Sequence, residues 1–254
     1  MFRIEREKII LQRMQDGSAV KPSELAALTG ASSVTIRRDL CLLEQRGLIF
    51  RSHGCAQMKK ADDADLVASL AGPSYDEKDR IARVASTHVQ DGDNIFLGAG
   101  TTCTLLAKYL KEKKNLTVMT PNLDAVMALS RTKTIRVSIL GGEVQVETNY
   151  VETMDEYILA ELHRLYFDKV FITVNGIDFD AGYSILKQKQ LPLYRHLLEN
   201  SANFYVMADS TKFGRRAFVH LCDMSAIAHI VTTRAIRDKY REAFDKYAIQ
   251  VFCA

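Results

Sequence analysis

The 254-residue sequence predicts an α/β protein in two parts, a small N-terminal domain of three helices and a β-wing followed by a larger α/β domain. Three observations predict it. Apolar residues recur at helical spacing in three short runs before residue 46, an apolar Leu48-Ile49-Phe50 run follows Gly47, and strand-like and helix-like segments alternate from residue 75 onward. The length exceeds the roughly 100–200 residues of a usual single domain. With 47% hydrophobic and 26% charged residues, the chain has the apolar side chains to fill a core, which excludes a disordered protein.

Ile4, Ile10, Leu11 and Met14 give the first helix, Arg3 to about Gln15, with a stop at Asp16-Gly17-Ser18. Pro22 suits a first helical position, and the short helix through Glu24 and Leu28 ends at Gly30. Ser32 then serves as an N-cap, and Ile36, Leu40 and Leu43 share one stripe of a third helix that runs to about Gln45 and stops at Gly47. Two short helices across a tight glycine-containing turn form a helix-turn-helix, whose second helix enters the major groove of DNA. With the apolar stripe inward, Val34, Arg37, Arg38 and Cys41 face outward. Arginines there pair with guanine edges or phosphates. Ser32, Ser33, Val34 and Thr35 lie at the helix start, where hydroxyls and the helix dipole favour phosphate oxygens. Arg51, Ser52 and His53 follow Leu48-Ile49-Phe50 onto the wing. The candidate DNA-binding residues are therefore Ser32, Ser33, Val34, Thr35, Arg37, Arg38, Arg51 and His53. Residues 1–60 hold eleven Lys and Arg against six Asp and Glu, while the remainder carries a net charge of −2 within a total of +3. A basic head is what contact with a polyanion requires.

Residues 24–54, ELAALTGASSVTIRRDLCLLEQRGLIFRSHG, resemble the N-terminal signature of the DeoR family of bacterial regulators, most specifically in TIRRDL at 35–40. Cys55 departs from the pattern, since the family usually has a second glycine there.

Residues 58–74 carry Lys59-Lys60, Asp62-Asp63, Gly72 and Pro73 without a sustained period and read as a linker, giving a DNA-binding domain over 1–57 and an α/β domain over 75–254. In the latter, helices are expected at about 76–90, 103–112, 122–130, 152–164, 190–201 and 234–246. Strands are expected at 94–97, 116–120, 135–140, 170–173, 204–208, 228–231 and 249–252, forming a largely parallel sheet. Ligands of such sheets bind beyond the carboxyl ends of the strands. Gly98, Gly100, Thr101 and Thr102 lie at one such end, where small residues let backbone amides approach a phosphate. Asn122, Gly142, Glu143, Asp178, Asp209 and Lys212 lie at others. Lys212 can neutralise a phosphate, and Asp178 or Asp209 can accept from sugar hydroxyls. The structural alternative for either aspartate is a cap or turn residue.

GAGTT, the TPN and GGE turns, DKVFITVNGID and ADSTKFG again resemble the DeoR family, in its C-terminal effector domain, so that the likeness covers nearly the whole chain. The resemblance implies a fold similar to ribose-5-phosphate isomerases and coenzyme A transferases, used to bind phosphorylated sugars or related intermediates of carbohydrate metabolism. In residues 187–196, Gln190 and Tyr194 stand where an acidic and a basic residue are expected.

The expected protein is thus a cytoplasmic repressor of a carbohydrate-utilisation operon, a homo-oligomer, dimer or tetramer, that binds double-stranded operator DNA under the control of a phosphorylated sugar or related metabolite. No cofactor, metal or catalytic residue is expected, and no membrane partner, since Arg3, Glu5, Arg6, Glu7 and Lys8 break any leader-like apolar run and no later stretch is long and apolar enough to span a bilayer. The five scattered cysteines suit reduced thiols. Two rivals remain, a sugar-phosphate isomerase or hydrolase with a DNA-binding appendage, using Asp178 or Asp209 as a base, and an architectural DNA-binding protein whose large domain only dimerises.

Overall fold

The computed structural model describes residues 3–14, 19–45, 49–52, 55–58, 74–155 and 162–254. The chain divides into two compact units, residues 1–68 and 69–254.

In the first unit, α1 (Arg3–Arg13), α2 (Pro22–Thr29) and α3 (Ser33–Gln45) are followed by the antiparallel pair β1 (Ile49–Ser52) and β2 (Cys55–Met58). Gly30 ends α2 in the left-handed conformation at φ +67°, which glycine adopts without a Cβ penalty. Ser32 caps α3, its Oγ accepting from the Thr35 amide at 3.2 Å and its carbonyl from the Ile36 amide at 3.0 Å. Ile10, Met14, Val20, Leu25, Ile36, Leu40, Leu43, Ile49 and Ala56 close into one core. Val20 and Ala56 exchange backbone hydrogen bonds of 2.7 and 2.8 Å, which ties the segment before α2 to the wing. The expected stops at 16–18 and Gly47 lie outside the described residues, as does His53. So does the expected linker, apart from Met58 and Ser74.

The second unit is built on a parallel sheet of seven strands. They are β3 (Asn94–Leu97), β4 (Leu116–Thr120), β5 (Ile135–Ile139), β8 (Lys169–Thr173), β11 (Phe204–Ala208), β13 (His229–Thr232) and β14 (Gln250–Cys253), in the spatial order β14-β13-β11-β8-β3-β4-β5. The helices α4 (Tyr75–Thr87), α5 (Thr101–Leu110), α6 (Leu123–Leu129), α7 (Leu191–Asn200) and α8 (Asp238–Lys246) connect or flank them. Central strands are apolar on both faces because both are covered, and every residue of β11 is buried. From β3 the chain builds outward through β4 to β5, then returns past β3 to β8 and proceeds to the other edge. The neighbours β3 and β8 therefore mark the point where the order reverses, the place where open α/β sheets leave a crevice at their carboxyl ends.

Two antiparallel additions extend this frame, the hairpin of β6 (Glu143–Val146) and β7 (Val151–Met154), and a three-stranded sheet of β9 (Gly176–Asp178), β10 (Gly182–Ile185) and β12 (Val219–Cys222). The hairpin corrects the expectation of a helix from 152: residues 151–154 are a strand paired with 143–146. Val144, Val146, Val151 and Thr153 are β-branched at alternate positions, which suits a pleated ladder. Residues 156–161 of the expected helix lie outside the described residues.

Candidate functional site

The third helix of the first unit has two distinct faces. Ile36, Asp39, Leu40 and Leu43 are buried, whereas Ser32, Ser33, Val34, Arg37, Arg38 and Cys41 are exposed and Thr35 is half-buried. Val34 is 74% exposed and shares the outward side with Arg37 and Arg38. Arg37 and Arg38 form no ion pair with any described carboxylate. Asp39, between them and Leu40, turns inward to the Arg6 guanidinium, which donates through Nε at 2.8 Å and Nη2 at 3.4 Å. That pair ties α1 to α3 and leaves the two preceding arginines of TIRRDL unengaged by it. The Thr35 hydroxyl lies 2.9 Å from Ser32 Oγ, so the two hydroxyls also serve the cap. Arg51 lies on β1 opposite Ala56, on the wing.

In the second unit a cavity of about 380 Å3 opens at the carboxyl ends of the central strands. Gly100, Thr101, Thr102, Asp209 and Lys212 line it. Gly100 is the N-cap of α5 at φ +103°, and a Cβ there would stand 2.9 Å from Thr173 Oγ1. Glycine is thus needed twice, for the backbone angle and for the close approach of β8. The first amides of α5, as at any helix start, have no helical acceptors, an arrangement that favours an anion. Asp209 is 2% exposed and caps the following 3-10 turn, accepting from the Thr211 amide at 2.9 Å and from the Thr211 hydroxyl.

Five expected residues lie elsewhere. Gly98 is a joint between β3 and β8, its amide donating to the Phe171 carbonyl at 2.8 Å. Asn122 is fully buried behind the cradle, donating to the Gly100 carbonyl at 3.3 Å and to Thr104 Oγ1 at 3.0 Å while its Oδ1 caps α6 through the Ala125 amide at 3.1 Å. It braces the loop from beneath. Gly142 and Glu143 are exposed at the far end of the β6–β7 hairpin, whose turn at 147–150 is the part that reaches the cavity. Asp178 accepts from Arg216 Nε at 2.9 Å and Nη2 at 2.7 Å and from the Asp180 and Ala181 amides, which makes it a turn residue. Arg216 holds its carboxyl below the ordinary value. Of the two aspartates an isomerase would need as a base, one lies outside the cavity and the other is engaged by Thr211.

Lys78 from α4 and Glu147 and Tyr150 from the hairpin turn also line the cavity and were missed by the sequence reading, and they are joined by Asn175 after β8 and by Gln190 and Tyr194 at the start of α7, which the sequence had singled out without assigning them to the site. The alternation of Val144 with Val146 and of Val151 with Thr153 is the one local signal of the hairpin, and strands of four residues make it weak. Lys187 bridges Glu147 and the buried Glu152, and Gln190 Nε2 donates to Glu152 Oε2 at 2.9 Å. Burial pulls the Lys187 ammonium down, but its hydrogen bonds to the two carboxylates outweigh this and hold it above the ordinary value. Gln190 is therefore a neutral donor in a network that sets one ammonium, Lys187, against two carboxylates. Burial keeps Tyr150 and Tyr194 as neutral phenols. The cavity thus offers helix-start amides and ammonium groups suited to an anion, together with amides and phenols suited to hydroxyls.

No described helix is long and apolar enough to cross a membrane.

Residues 6–62 match the DeoR-like helix-turn-helix domain and residues 74–234 the DeoR C terminal sensor domain. The HTH-type transcriptional regulator FruR of Bacillus subtilis (strain 168) is 32% identical over 250 residues, covering 97% of this chain and 96% of its own. The glycerol-3-phosphate regulon repressor of Escherichia coli (strain K12) is 27% identical over 232 residues, 91% of each chain. Ribose 5-phosphate isomerase A of Methanocaldococcus jannaschii superposes over 55% of both chains with 17% identity and a TM-score of 0.39, a likeness too loose to argue from. With both domain models matched in order and a relative at this identity aligned almost end to end, the chain belongs to the DeoR family of transcriptional regulators.

Proposed function

We propose that the chain is a DNA-binding repressor of a carbohydrate-utilisation operon, acting in the cytoplasm on double-stranded operator DNA as a dimer or tetramer, and that a phosphorylated sugar controls it. The DNA-binding part spans 1–57, the linker 58–74 and the sensor 75–254. The observation that carries the reading is the cavity at the β3/β8 reversal, where Gly100, Thr101 and Thr102 at the start of α5 and the Lys212 ammonium line one space. A compound with a phosphate at one end and hydroxyls at the other fits that lining. The name of the glycerol-3-phosphate regulon repressor, a relative, points to a phosphorylated compound as well. Occupancy would favour a sensor state in which paired recognition helices no longer match the half-sites, and a coupling of about 1–3 kcal/mol suffices for regulation.

Gel-shift and thermal-shift measurements on two variants test this. Arg38→Ala is expected to weaken specific DNA binding about tenfold or more and keep its response to phosphorylated sugars, and Lys212→Ala to weaken that response and keep DNA binding. A ligand at a hundred times its Kd adds about 2.7 kcal/mol of stability. No shift across a broad sugar-phosphate panel would favour a purely architectural role, and turnover of any of them would overturn the regulator-only reading.

A further inference from the structure

Two adjacent residues in the first turn of α4 are placed for different tasks. Lys78 lines the cavity together with Asp209 and Lys212. Glu77 lies outside that lining and grips the loop that carries them. Its Oε2 accepts from the Ser210 amide at 3.0 Å, and the Ser210 hydroxyl donates to Oε2 at 2.8 Å and Oε1 at 3.1 Å. Ser210 begins the 3-10 turn that ends at Lys212. The N-terminal turn of α4 is therefore clipped to the cavity loop across 133 residues of sequence.

The residue before α4 adds a second observation. Ser74 sits at φ +66°, ψ +22°, a left-handed conformation that costs a non-glycine residue roughly 1–2 kcal/mol. Such a conformation persists only where its surroundings over-determine it. By chain order, this is where the sequence coming from the DNA-binding unit enters the sensor. Burial lowers the affinity of Lys78 for its proton, Asp209 opposes that, and Lys212 adds to it, so the two ammonium groups already sense one another. A dianion between them would relieve the repulsion and draw Lys78 toward the loop.

We propose that Lys78 joins Lys212 in holding the dianionic group of the effector, and that the Glu77–Ser210 clip turns that occupancy into displacement of the first turn of α4, the element that receives the chain from the DNA-binding unit. The proposal rests on the cavity being the site of a phosphorylated effector. Lys78 is the binding group and Glu77 the positioning residue. A helix of thirteen residues carries such a displacement as a rigid body, and the effector biases it only by its difference in affinity for the two positions.

The full-length chain and the variants Lys78→Met, Glu77→Ala and Ser210→Ala are titrated with glucose 6-phosphate, ribose 5-phosphate, glycerol 3-phosphate and inorganic phosphate. Tm reports binding, and affinity for a duplex that the wild-type chain selects from a random-sequence pool reports coupling. The probe that stabilises the wild type should bind Lys78→Met at least about tenfold more weakly, while Glu77→Ala binds it within about threefold yet loses at least about fivefold of its effect on duplex affinity. Ser210→Ala, which keeps the backbone bond to Glu77, should move coupling in the same direction and carries the test if Glu77→Ala does not fold. Wild-type probe affinity in Lys78→Met, or wild-type coupling in the Glu77 and Ser210 variants, overturns the proposal and leaves the phosphorylated-effector reading standing. A wild-type chain that none of the four probes stabilises overturns that reading, and this inference with it.

Discussion

The Arg6 guanidinium and the Asp39 carboxylate meet through two hydrogen bonds, at 2.8 and 3.4 Å, on the inner side of α3. Asp39 is 2% exposed although it adjoins two solvent-facing arginines in sequence. One acidic residue of TIRRDL thus belongs to the fold, while Arg37 and Arg38 remain outside. Asp39→Ala is expected to lower the thermal midpoint of the DNA-binding unit and, through it, DNA affinity, because a buried guanidinium partner is removed. Arg38→Ala should leave the midpoint unchanged and weaken specific DNA binding roughly tenfold to hundredfold, the worth of a bidentate base contact. Differential scanning calorimetry beside gel shifts separates the two, and equal losses of stability would show that Arg38 is structural.

Arg51 lies on the wing, where a phosphate contact carries no sequence information. Arg51→Ala is expected to weaken specific and nonspecific duplexes alike and to reduce the slope of log K against log salt by about 1. Fluorescence anisotropy over a salt series measures this. A selective loss for the specific duplex would make Arg51 a base reader.

Gly100→Ala places a Cβ 2.9 Å from Thr173 Oγ1 on a backbone at φ +103°. Strain of this kind costs roughly 1–3 kcal/mol. The expected outcome is a lower sensor midpoint and the loss of stabilisation by any sugar phosphate, seen in thermal-shift titrations. A variant that keeps both would show that the loop tolerates a side chain and does not approach the ligand through its backbone.

His88 packs against the Phe252 ring at a centroid separation of 4.0 Å, and burial, with His229 and Lys169 nearby, lowers its pKa below 6.5. The fold therefore prefers the neutral ring. Stability from this group is complete above pH 6.5 and declines as pH falls through that value, because the unfolded chain takes up the proton first. Urea unfolding between pH 7.5 and 5 should show that decline, and His88→Phe should flatten it. An unchanged acid limb in the variant would assign the effect elsewhere.

Much of this architecture was legible because it depends on local periodicity. Ile36, Leu40 and Leu43 repeat at helical spacing, so the outward placement of Arg37 and Arg38 followed from angular steps along one helix, and the buried strands 94–97 and 204–208 were apolar runs bounded by turn residues. Asp39 was not legible in the same way: its partner Arg6 is 33 residues away, and a charged residue on an apolar stripe does not announce what neutralises it. The hairpin at 143–154 was misread from residue 152 because four-residue strands leave little periodic signal.

By itself the sequence determined the helix-turn-helix, its exposed basic face, the alternating body and the glycine-rich strand-to-helix turn at 98–102, all properties of neighbouring residues along the chain. Only the tertiary structure decided which strand-end residues share a cavity. It joined Gly100, Asp209 and Lys212 to Lys78 and Tyr194, and it set Asn122 beneath the cradle and Asp178 on a turn beside Arg216. The physical reason is that strand order in a parallel sheet comes from packing both faces against helices. Convergence at the β3/β8 reversal is therefore a property of the assembled sheet, which no local pattern encodes.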